Sequence, residues 1–84
     1  LSGLYQTFRN ILIHEQRIKE LTSSDEGIQQ RALFFFHEQG TPEDAQYIQS
    51  LLANYEINND NRTLAVKTMD AIHHRTTPLR DNRP

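Results

Sequence analysis

The residues best suited to metal binding or proton transfer are four histidines, at positions 14, 37, 73 and 74, since imidazole ligates metals and changes charge near neutrality. His14 and His37 share a local pattern: each is followed by Glu and Gln and preceded by three large apolar residues, Ile11-Leu12-Ile13 and Phe34-Phe35-Phe36. A second histidine four places on would make a metalloprotease motif, but those places hold Ile18 and Thr41. The shared pattern rests on three identities and does not make an internal repeat. His73 and His74 are adjacent, so on a helix they point about 100° apart and need a third ligand from elsewhere to share an ion. Followed by Arg75, they suit the negative pole of a helix end, with a pH-sensitive contact as the functional alternative. A four-helix enzyme or metal carrier built on His14, His37 and His73 is the remaining use of these side chains.

Other chemistries lack their parts. No G-x-S-x-G elbow is present, and glycines at 3, 27 and 40 are too scattered to cradle a phosphate. The pairs Asp25-Glu26 and Glu43-Asp44 fall where first helical turns begin, and the helix dipole explains them. With no cysteine, neither a disulfide framework nor a thiolate zinc site is available. Asn58-Asn59-Asp60-Asn61 lacks the central Gly and closing Glu of a calcium loop. We therefore expect no catalytic residues, no metal site and no cofactor. Two modification signals are present: Asn61-Arg62-Thr63 is a glycosylation acceptor or simply a helix cap, and Thr77-Pro78 is a phosphorylation candidate.

The elements that position these residues are all helical. Thr22 to Gly40 is the stretch around which the rest must be arranged. Ser23 and Glu26 form a capping-box pattern, and Gly40 is the left-handed residue a helix end favours. Phe34, Phe35 and Phe36 span about 200° of the circumference, so this helix should be covered on more than one side. Before it, Leu1, Leu4, Phe8, Ile11 and Ile18 recur at three-and-four spacing with Tyr5 and Leu12 alongside, the stripe of an amphipathic bundle helix. Glu15 interrupts the seam and argues against a long coiled coil.

Thr41-Pro42-Glu43-Asp44 starts a third helix bearing Ala45, Ile48, Leu51, Leu52 and Tyr55, with Tyr47 a turn before Leu51. A fourth, capped by Asp60 or Asn61, carries Leu64, Ala65, Thr68, Met69 and Ile72. The expected fold is all-α: a compact bundle of four helices with short connections and antiparallel neighbours. The boundaries are one domain over residues 1–75, with helices at about 2–21, 24–39, 42–56 and 62–75, and a mobile tail at 76–84 holding two prolines and one apolar residue, Leu79.

No apolar run approaches the roughly 20 residues of a membrane span, and no basic-then-apolar signal layout opens the chain. The first residue is Leu1 rather than Met, so a preceding segment is expected to have been removed. A cytoplasmic setting fits the absence of cysteine. The net charge of −2 divides unevenly, with −5 over residues 1–61 (four Lys/Arg, nine Asp/Glu) and +3 over 62–84 (five against two). We expect a non-enzymatic protein-protein interaction module, a regulator, adaptor or subunit, that also forms a homo-oligomer over the second face of the Phe helix. Ile13, Phe34 and Tyr47 are its expected partner contacts. The alternative is a nucleic-acid-associated regulator laying Lys67, His73, His74, Arg75, Arg80 and Arg83 on phosphates. A helix-turn-helix at Gly40 is disfavoured, because its second helix would open with carboxylates facing DNA.

Overall fold

The computed structural model describes residues 2–54 and 56–76. It is an all-α bundle of four helices: α1 (Ser2–Glu20), α2 (Glu26–Gln39), α3 (Ala45–Leu52), which follows a single 3-10 turn at Pro42–Asp44, and α4 (Asn59–Thr76). Of the expected tail at 76–84, Thr76 is the last residue of α4, and 77–84, with Thr77, Arg80 and Arg83, lies outside the described residues, as does Tyr55.

Local chemistry moves several helix ends from their expected places. At the start of α2 the cap is Asp25, whose Oδ1 accepts from the amides of Gly27 (2.9 Å) and Ile28 (3.1 Å). Ser23 instead accepts from the Asp25 amide at 3.0 Å, so the Ser23–Glu26 capping box does not form. A carboxylate at the positive pole is the stronger cap. Gly40 has φ −65° and ψ 146°, extended rather than left-handed. What it needs is space: a Cβ there would lie 2.5 Å from the Phe36 carbonyl oxygen and 2.9 Å from Ile72 Cδ1. The 3-10 turn at Pro42 is closed by Asp44, whose Oδ2 accepts from the Thr41 amide (2.8 Å) and hydroxyl (3.0 Å).

The loop before α4 shows the same competition. α3 ends at Leu52 rather than near 56, and α4 begins at Asn59 rather than 62. Asn58 is the residue that accepts from the Asn61 amide, at 2.7 Å, which displaces Asp60 and Asn61 as the cap. Arg62 donates to the carbonyls of Leu52 (2.7 Å) and Asn54 (2.8 Å), satisfying acceptors that the end of α3 leaves open. Asn61 is itself buried, with its side-chain amide donating to Gln29 Oε1 (2.8 Å) and the Glu26 carbonyl (3.1 Å). Gln29 passes the chain on to the Leu21 carbonyl at 2.8 Å. A side chain so enclosed leaves no room for a glycan in the folded protein, so the acceptor reading of Asn61 is set aside.

These contacts set the helix directions. Glu26 and Gln29 meet Asn61 at one end while Phe36 and Gly40 meet Ile72 and Arg75 at the other, so α2 and α4 run parallel, α3 having returned the chain between them. α1 runs antiparallel to α2, with Leu21 near Gln29 and His14 against Phe36. The core is Leu21, Ala32, Leu33, Phe36, Ile48, Leu51, Ile57, Ala65 and Ile72. Of the three phenylalanines, Phe36 is enclosed, Phe35 is half-buried against α1, and Phe34 faces outward. α2 is thus covered on two sides, by α4 and α1.

One expectation fails in an informative way. The apolar stripe of α1 was expected to pack into the bundle, yet Leu4, Tyr5, Phe8, Ile11 and Leu12 are 71%, 67%, 60%, 50% and 51% exposed. Only the last turns of the helix and the residue after it reach the core, through Ile18 and Leu21.

Candidate functional site

The side of α1 that touches the body is largely polar. His14 Nε2 lies 2.8 Å from Asp44 Oδ1, and its ring meets those of Phe35 and Phe36 edge-on at 6.1 and 5.5 Å. Ile13 and Asn10 border a groove with Phe35 and Gln39 on one flank of His14, and Ile11, Glu15 and Ile18 border another with Glu43, Gln46 and Tyr47 on the opposite flank. At about 100° per residue, Ile13, His14, Arg17 and Leu21 cluster on the side of the helix opposite Phe8. The stripe therefore points away from the bundle.

Taken relative to Phe8, Leu4 and Leu12 lie about 40° to either side, and Ile11 and Tyr5 about 60° to either side. The exposed apolar face is centred on Phe8 and about 120° wide, the width of a face built for packing. Between Gly3 and His14 the helix holds a single charged residue, Arg9, about 100° from Phe8 and outside this face. None of the described helices is long and apolar enough to cross a membrane.

The three expected partner contacts do not form one surface. Tyr47, 39% exposed, lines the groove that Ile11 joins to the stripe; Ile13 lies in the groove on the far side of His14; Phe34 borders neither. The residues expected in the core, Leu4, Tyr5, Phe8, Ile11 and Leu12, are five of the nine exposed large apolar residues among the described ones. Their spacing was the signal, but periodicity marks a face and does not say what covers it.

Of the basic candidates, Lys67, His73, His74 and Arg75 lie among the described residues, all on α4. Lys67 and His73 border an α4 groove together with Val66, Met69 and the acidic Asp70. Arg75 is committed to the end of α2, donating to the carbonyls of Gly40 (2.9 Å), Phe36 (3.0 Å) and His37 (2.8 Å). His74 is exposed on the same last turns.

No family model, curated protein or solved structure matches this chain. Chemical capacity must be judged from geometry alone. Thr41, Asp44 and His14 form a hydrogen-bonded chain, with the carboxylate in the middle. Nucleophile activation needs the imidazole between hydroxyl and carboxylate, so this order braces the turn onto α1. Among the described residues no three His, Asp or Glu side chains gather as a metal-binding group.

Proposed function

We propose that this chain is a small protein-protein interaction module, a regulator, adaptor or subunit, that works by association through the apolar face of α1. The observation that carries this reading is the exposed stripe Leu4, Tyr5, Phe8, Ile11 and Leu12 on a helix whose polar side is turned to its own fold. A contiguous apolar face of several hundred Å² is uncommon on a protein that works alone and marks a contact surface. Large apolar side chains near the centre of such a patch supply most of the affinity, which puts Phe8 first, flanked by Tyr47 through the Ile11 groove. Phe34 and Ile13 are separate, smaller contacts.

The experiment is affinity capture from host extract with the wild-type chain and a Phe8→Asp, Leu12→Asp variant shown by circular dichroism to be folded. Species retained by the wild type should be lost by the variant. An unchanged set of retained species would remove the α1 face from the reading.

A further inference from the structure

Resting on the proposed association through α1, we infer that the occupant of the stripe is a second copy of this chain, its α1 lying antiparallel to the first across a two-fold axis at Phe8. The stripe is a palindrome: reversing the order of positions 4, 5, 8, 11 and 12 about Phe8 exchanges Leu4 with Leu12 and Tyr5 with Ile11 and leaves Phe8 in place. A two-fold interface must be self-complementary, with each patch residue meeting its symmetry counterpart's patch. An antiparallel pair crossing at Phe8 brings every apolar member of one stripe against an apolar member of the other. A parallel pair also stacks like on like, but it projects both bundles from the same end of the pair; the antiparallel pair places them at opposite ends.

Charge permits this arrangement. Arg9 flanks the stripe at about 100° from Phe8 and stays in water, and Glu15, about 20° from Phe8 on the helix wheel, ends the apolar stripe one turn past Leu12, beyond Leu4 of the second copy. Area is compatible with it: the exposed surface of the five residues amounts to roughly 600 Å² per copy, which sets a ceiling of about 1,200 Å² for the pair, at the lower bound of specific interfaces. The body leaves most of the face open, since His14 and Ile13 meet it on the opposite side of the helix, and approaches it at one edge, where Ile11 and Glu15 border the groove lined by Glu43, Gln46 and Tyr47. An interface at this end of the size range is typical of weak pairs that exchange partners.

The test begins with sedimentation of the purified chain over a concentration series reaching on the order of 100 μM. A monomer–dimer equilibrium is expected, weakened roughly thirtyfold or more by Phe8→Asp, in keeping with loss of a central anchor. Orientation is then read by cross-linking, for which the chain is suited because it contains no cysteine. Across an antiparallel pair, residues 4 and 4′ are about 12 Å apart along the axis, well beyond disulfide reach. A mixture of Leu4→Cys and Leu12→Cys chains should therefore form a mixed disulfide, while Leu4→Cys alone forms none. Self-linking of Leu4→Cys overturns the antiparallel arrangement. A chain that stays monomeric throughout, or dimerises equally well as Phe8→Asp, overturns the second copy as occupant. Capture of other species that still depends on Phe8 would then leave the interaction reading standing, so the two failures are separable.

Discussion

α1 and α2 lie side by side and both are rich in large apolar residues, yet they face in opposite senses. α2 turns Ala32, Leu33 and Phe36 into the interior, where each has no exposed surface. α1 turns most of its apolar residues outward and meets the body through the His14 imidazole, which contacts Asp44, Phe35 and Phe36, and through Ile18 in its last turns. Burying an apolar face is what stabilises most helices in proteins. A helix with such a face left in water is held by its neighbours and keeps the face for something else. On the proposed reading, the difference between the two helices separates folding from association within one short chain.

The largest effect that sharpens this contrast comes from truncating one residue on each helix. Leu33→Ala removes a fully enclosed side chain and should cost about 3–5 kcal/mol in denaturant unfolding, enough to unfold much of a domain this small. Phe8→Ala, measured under dilute conditions where copies are apart, should cost under about 1 kcal/mol. Equal losses at the two positions would mean that the α1 stripe is packed in solution and the contrast is false.

A smaller effect tests the polar side of α1. His14→Ala removes the partner of Asp44 Oδ1 on a carboxylate whose side chain is only 4% exposed. Leaving a buried acceptor unpaired costs about 1–3 kcal/mol. Hydrogen exchange is the measurement that locates it: amides of the first three turns of α1 should exchange faster, while those of α2 facing α4 keep their protection. Uniform loss across both helices would show that α1 is integral to the core rather than docked on it.

The helices themselves were legible, because apolar residues at three-and-four spacing and cap residues between them admit one secondary structure. Their ends were less so. Ser23, Asp25, Asn58, Asp60 and Asn61 are all competent caps, and the choice among them fell to which oxygen reaches a free amide once the helices have packed. Asn61 is the clearest case: read as a cap or a glycan acceptor, it is instead a buried crosspiece to Gln29, a partner 32 residues away. The site was hidden for a different reason. The stripe on α1 was visible residue by residue, but a stripe looks the same whether its cover comes from the same chain or another. Its symmetry about Phe8 is a property of the sequence that gains meaning once the helix is seen to be uncovered.

The smallest expected effect lies on the outward side of α2. Phe34 is 52% exposed and adjoins the enclosed run without joining it, so Phe34→Ser should change stability by no more than about 1 kcal/mol, as exposed substitutions do. It should also leave the sedimentation of the pair unchanged, because Phe34 borders neither groove beside α1. Should Phe34→Ser instead dissociate the dimer while Phe8→Asp does not, association would belong to the phenylalanine helix, and α1 would be an arm without a partner.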